Sequence, residues 1–159
     1  MDHHSCNLLF VYGTLMKGMG NAFADQLSST SEFLGSATAI GRLYDYQNEY
    51  PCAVENSVTR NMIQGELYRL TAPESLLPSL DAYEDCYPDN PKRSLFIRKI
   101  TPVRTHLGTQ STAWMYFWNR PTDALTLIPT GDYRSYRFTV ADKRLIPHSF
   151  PTTMRGRNT

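Results

Sequence analysis

Leu8-Leu9-Phe10-Val11-Tyr12-Gly13-Thr14-Leu15 lies near the start of this 159-residue chain. Five apolar residues in a row, too few for a helix and rich in aromatic and β-branched types, read as a buried strand. The strand runs into glycine, and Lys17-Gly18-Met19-Gly20 follows as a glycine-bearing loop. A glycine at a strand end lets successive N–H groups turn toward one point, a nest that holds a carboxylate or another anion. A plain structural turn explains the same residues equally well.

Working outward, Asn21 is a candidate cap for a short helix reaching Leu27. Residues 32–44 form a long β-like stretch, with Gly35 and Gly41 as bulges or bends. Residues 45–51 read as a turn and 52–54 as a short strand. Residues 62–70 alternate, with Ile63, Gly65, Leu67 and Arg69 on one side of a strand. Thr71-Ala72-Pro73-Glu74 has the form of a capping box, and Pro78 is expected to start a second short helix over 78–85. Residues 95–104 and 111–118 read as two strands joined near Leu107-Gly108. From Asn119 onward the chain reads as irregular, with turns over 129–132. About six strands against two or three short helices predict an α+β fold, a small mixed β-barrel with flanking helices. Residues 1–151 are expected to form one domain and 152–159 a flexible tail.

Composition narrows the function classes. Sixteen Lys and Arg against fifteen Asp and Glu give a net charge of +1, which argues against a nucleic-acid binder with a global positive field. Charged residues are 19% of the chain, below the roughly 25% of a typical domain. Ten tyrosines suit the walls of a small-ligand pocket as well as half-wet strands. No apolar run is long enough to span a bilayer, and the N-terminus lacks the pattern of a signal peptide. The expectation is a cytoplasmic protein without membrane or nucleic-acid partners, a monomer or weak homo-oligomer. Cys6, Cys52 and Cys86 are too few and too widely spaced for a disulfide framework.

Most candidate sites have bland readings. His3, His4 and Cys6 lie together at the N-terminus with His106 and His148 far off, so no metal is expected. Cys86 has no histidine near it in sequence to act as a base. Residues 13–20 lack the Gly-Lys-Ser/Thr ending of a nucleotide-binding loop. Arg134-Ser135-Tyr136-Arg137-Phe138 mixes basic and aromatic residues as a single-strand binder does, or as a solvated strand does. Leu80-Asp81-Ala82-Tyr83-Glu84-Asp85 carries more. Glu84 lies among Leu80, Tyr83 and Tyr87, which would desolvate a carboxyl and let it both take and give a proton. An exposed helix-end glutamate is the alternative.

The two stretches together resemble the γ-glutamylcyclotransferase-like superfamily, in its AIG2-like, γ-glutamylamine-cyclotransferase-like branch. Four motifs in order carry the resemblance: Phe10-Val11-Tyr12-Gly13-Thr14-Leu15-Met16-Lys17-Gly18, Leu80-Asp81-Ala82-Tyr83-Glu84, Ala113-Trp114-Met115-Tyr116-Phe117 and Ile128-Pro129-Thr130-Gly131-Asp132-Tyr133. The resemblance implies a small mixed barrel and a cofactor-free reaction. A small γ-glutamyl amine or amide would close on itself to give 5-oxoproline and a free amine. It implies Glu84 as general acid/base, with Tyr12, Gly13, Thr14 and Leu15 holding the γ-glutamyl group and Tyr116 as a pocket wall or hydrogen-bond donor. Two positions depart from the pattern: Asp85 stands where a glycine is often found, and Phe96 where a tyrosine is. A non-catalytic small-ligand-binding barrel on the same scaffold is the competing reading.

Overall fold

The computed structural model describes residues 6–56 and 60–144, with side chains of a helix or strand described through residue 139. The chain starts with strand β1 (Leu8–Val11), followed by helix α1 (Ala22–Thr30) and strands β2 (Ser31–Ile40), β3 (Arg42–Tyr46), β4 (Tyr50–Val54) and β5 (Met62–Leu70). Helix α2 (Pro73–Tyr83) and a 3-10 turn (Pro91–Arg93) come next, then β6 (Phe96–Thr105), β7 (Gln110–Trp118), β8 (Thr126–Ile128) and helix α3 (Tyr133–Arg144).

Five strands close into a barrel in the order β1-β5-β2-β6-β7. All neighbours are antiparallel except the closing pair, where β1 meets β7 in parallel with Leu9 opposite Trp114. Closure removes the unpaired edges that an open sheet would expose. It also explains why β1 reads as a continuous apolar run: Leu9, Phe10 and Val11 are all buried, because both faces of the strand are covered. A second sheet, β4-β3-β8, is separate from the barrel, and its β4 lies against β7. The fold is α+β around a small barrel, as the sequence implies.

Several elements differ from the sequence reading, each for a physical reason. The β-like stretch over 32–44 is two strands in two sheets, broken at Gly41. A Cβ at Gly41 would press on Ile63 Cδ1 and on the Val54 carbonyl, so the chain leaves the barrel where only glycine fits. Gly35 is the bulge: the β2–β5 register shifts between Phe33 and Gly35, where φ is +112°, a conformation open to glycine. The turn expected over 45–51 is shorter, because Tyr50 and Pro51 already pair with Tyr46 and Asp45.

Helix α2 is one helix, not two. Its N-cap is Ala72, which makes no side-chain cap bond, and Pro73 sits in the first turn. Thr71 is therefore one residue too early to cap. Pro78 lies inside the helix and deletes one backbone bond. Buried Leu76, Leu77 and Leu80 hold the helix through it. The stretch after Asn119 is irregular over residues 119–125 and turns at 129–130 as expected, but it also holds a strand and a helix. Residues 126–128 pair with β3, and Asp132 accepts from the Arg134 and Ser135 amides to start α3. The mixed basic and aromatic segment 134–138 is thus helical, neither strand nor loop. The expected tail over 152–159, the end of the expected domain and the pair His3 and His4 lie outside the described residues.

Candidate active site

One pocket gathers nearly every residue that the sequence singles out. It is lined by Phe10, Val11, Tyr12, Gly13, Thr14, Leu15, Tyr50, Pro51, Glu84, Phe96 and Tyr116. Residues from β1 and the loop after it form one wall; Glu84 comes from the end of α2, and Tyr116 from β7. Glu84 and the loop are about seventy residues apart in sequence, and the barrel brings them together.

The loop after β1 is held at several points. The Met16 amide donates to the Gly13 carbonyl at 3.0 Å. Asn21 caps α1 by accepting from the Ala24 amide at 2.9 Å, and its Nδ2 donates to the Thr14 carbonyl at 2.6 Å. Thr14 Oγ1 and the Tyr83 hydroxyl lie 3.3 Å apart, and Tyr83 packs against Phe23 of α1 with ring centroids 4.2 Å apart. The Lys17 amide donates to Glu66 Oε1 at 2.8 Å. Arg134 then donates to the Lys17 carbonyl at 2.8 Å and pairs with Glu66 Oε2 at 3.3 Å. Gly13 is a position of close approach: a Cβ there would run into Pro51 Cγ, so the β4 segment packs directly onto the loop backbone.

Tyr12 and Tyr116 have different tasks. The Tyr12 hydroxyl donates to the Tyr116 carbonyl at 2.7 Å and accepts from the Ala53 amide at 3.3 Å. It therefore ties the end of β1 to β7 and β4. The Tyr116 hydroxyl donates to Asp81 Oδ1 at 2.7 Å. Burial pushes both phenols well above the ordinary tyrosine range; the Glu84 charge adds to the effect at Tyr12, and the Asp81 carboxylate first and Glu84 after it add to it at Tyr116. Both stay protonated across the physiological range. Burial also raises the Cys52 and Cys86 thiols, which disfavours the nucleophilic thiolate. Among the described residues, no three His, Cys, Asp or Glu side chains converge as a metal ion requires.

Glu84 is the C-cap of α2. The Cys86 amide donates to the Asp81 carbonyl at 2.8 Å and the Asp85 amide to the Ala82 carbonyl at 3.3 Å. These are the two crossed bonds of a Schellman turn, with Asp85 in its left-handed position at φ +53°. The usual occupant of that position is glycine, and aspartate is among the residues that tolerate it. The departure at Asp85 is thus a backbone matter: the turn that presents Glu84 is made without glycine. Tyr83 faces Phe23 and Thr14, and Tyr87 reaches toward Asp85. The aromatic groups that share the pocket with Glu84 are Phe10, Tyr12, Tyr50, Phe96 and Tyr116.

Sequence reasoning missed Tyr50, Pro51, Asp81, Arg98 and Glu66. Tyr50 and Pro51 read as turn residues. Asp81 sat inside a recognised motif, but its partner Arg98 is seventeen residues away and no local signal links the two.

The chain as a whole is similar to known proteins. The family model "Gamma-glutamyl cyclotransferase, AIG2-like" matches residues 9–135. A γ-L-glutamyl-butirosin B γ-glutamyl cyclotransferase from Niallia circulans is 31% identical over 150 residues, 89% of this chain and 86% of that protein. The γ-glutamylcyclotransferase family protein YtfP of Escherichia coli K12 is 30% identical over 125 residues, 79% of this chain and 94% of its own. In fold, the crystal structure of an AIG2-like protein from Mus musculus superposes with a TM-score of 0.64 at 22% identity, covering 94% of this chain and 99% of the other.

Proposed function

The chain belongs to the γ-glutamyl cyclotransferase, AIG2-like family, and from that premise we propose that it converts a small γ-glutamyl amine or amide to 5-oxoproline and a free amine. The observation that carries this reading is the shared pocket: Glu84 and the loop residues 12–15 line one cavity.

The substrate's α-amine attacks its own γ-carbonyl. A new C–N bond closes the five-membered ring, and the old C–N bond to the leaving amine breaks. Nucleophile and electrophile share one molecule, so the protein has only to hold the chain in a curled shape; well-oriented intramolecular reactions gain up to about 7–11 kcal/mol from such placement. Glu84 takes the proton that the attacking amine loses and returns one to the departing nitrogen, a double task open to one well-placed carboxyl. The N–H groups of Gly13, Thr14 and Leu15 are the proposed donors to the substrate carboxylate or to the oxyanion that develops on the γ-carbonyl oxygen. Tyr50, Phe96 and Tyr116 wall the space and limit the water in it. The reaction needs no group beyond these side chains and amides.

The test is release of 5-oxoproline from a panel of γ-glutamyl amines and amides by the wild type and by Glu84→Gln. The glutamine keeps shape and loses the proton transfer, so turnover is expected to fall at least about 10²-fold. Full activity in the folded variant rejects the role of Glu84. Binding of a γ-glutamyl compound without turnover across the panel would favour the non-catalytic reading.

A further inference from the structure

Asp81 and Arg98 form an ion pair shielded from solvent, with side-chain exposures of 8% and 15%. Arg98 Nε donates to Asp81 Oδ1 at 2.7 Å and an Arg98 terminal nitrogen donates to Oδ2 at 2.9 Å. This is the planar two-bond fork that only arginine makes with a carboxylate. Asp81 Oδ1 accepts a third bond from the Tyr116 hydroxyl. Arg98 and Tyr116 are opposite each other in the β6–β7 register, so two facing side chains of the barrel grip one carboxylate of α2. The guanidinium also lies over the Trp114 ring, 4.3 Å from its centroid.

A shielded ion pair is a poor device for stability, because apolar residues of the same volume often do as well or better. What it supplies is direction. Glu84 is three residues after Asp81, on the same side of the helix end. The Asp81 carbonyl also accepts the Cys86 amide beyond Glu84. Asp81 is thus fixed through its side chain to the barrel and through its backbone to the turn that carries Glu84.

We propose that Asp81 and Arg98 are positioning residues: their fork sets where the end of α2 places Glu84 against the loop at residues 12–15, with Tyr116 locked beside it. The kinetic part of this proposal rests on the cyclotransferase reading; the structural part does not.

The experiment compares Arg98→Lys, Asp81→Asn and Arg98→Ala with the wild type. Backbone amide exchange is followed at Glu84, Asp85 and Cys86, together with 5-oxoproline release. Misplacement of a reacting group by about 1 Å loses on the order of 10²-fold. The expected result is a tenfold to hundredfold lower kcat at roughly this scale in Arg98→Lys, with KM changed by less than about threefold. Guanidinium ion should restore part of the activity of Arg98→Ala, and methylammonium should not, since it carries charge without the fork. Exchange at residues 84–86 should quicken while β1 and β5 keep their protection. Unchanged kcat in folded Arg98→Lys and Asp81→Asn overturns the proposal. So does a rise in KM alone, which would make Arg98 a binding group. If the wild type releases no 5-oxoproline from any γ-glutamyl compound, the cyclotransferase reading fails by itself. The exchange data then decide: faster exchange confined to the end of α2 supports the positioning role, and unchanged exchange rejects it.

Discussion

Glu66 and Glu84 flank the same loop and have opposite fates. Glu66 is 7% exposed; one oxygen accepts the Lys17 amide and the other faces Arg134. It is built into the scaffold behind residues 16–17. Glu84 stands at the end of a helix, half-buried, and lines the pocket that residues 12–15 also line. Two glutamates with the same intrinsic chemistry thus become an anchor and a candidate acid/base. The difference is taught by their partners: a carboxylate bonded to a backbone amide and a guanidinium is tied in place, and one at a pocket wall can meet a substrate.

The sharpest way to break this comparison is to neutralise each glutamate in turn. Glu84→Gln should lower 5-oxoproline release at least about 10²-fold and leave the thermal midpoint close to wild type. A similar loss from Glu66→Gln in a well-folded protein would put the acid/base on the wrong side of the loop. Gly13→Ala is next in size. Its methyl group meets Pro51, and overpacking of this kind costs about 1–3 kcal/mol. Both stability and turnover should fall, read by denaturant midpoint and by the same release assay.

Glu66→Ala removes the acceptor of the Lys17 amide and the partner of Arg134. The bond to the Lys17 amide is part-buried, and losing a hydrogen bond costs about 0.5–1.5 kcal/mol, so the urea midpoint should drop modestly, with KM rising more than kcat falls as the loop loosens. An alkaline effect belongs to the same side of the loop. The Tyr68 hydroxyl is buried without a hydrogen-bond partner among the described residues. Its pKa is pushed up to about 12, first by burial and then by the Glu66 charge. The folded value exceeds the unfolded one near 10, so the unfolded chain releases its proton first. Stability is therefore intact below about pH 10 and falls as pH rises toward 12. Tyr68→Phe should flatten that fall in urea melts at graded pH. The smallest expected change is at the Glu84 side. Asp85→Gly relieves the left-handed backbone at φ +53° and should raise stability by a few tenths to about 1 kcal/mol. Activity lower than wild type in that variant would show that the Asp85 charge matters to the pocket.

The readable parts of the molecule were those with local causes. The apolar run at 8–12 marks β1, and the alternation over 62–70 marks β5. Asn21 caps α1 as its side chain dictates. The loop residues 12–15, Tyr116 and Glu84 all reach the pocket. What stayed hidden depends on distant partners. Helix α3 was obscured because a basic and aromatic segment lacks a clear apolar stripe, and α3 is fixed instead by Asp132 at its start and by Tyr136 donating to Asp45 at 2.9 Å. Pro78 argued for two helices, and burial of the leucines around it overrode that local preference.

The amino-acid sequence by itself determined the strand-rich class, the glycine-marked loop and the presence of an acid near an apolar helix face, because periodicity and backbone sterics act over a few residues. Only the tertiary structure decided that Glu84 faces the loop while Glu66 lies behind it. It alone joined Asp81 to Arg98 and Tyr116. Those choices come from tertiary packing, of helix on barrel and of strand on strand, which sets groups 17 to 104 residues apart at hydrogen-bond distance, where burial and charge act on pairs that no local pattern records.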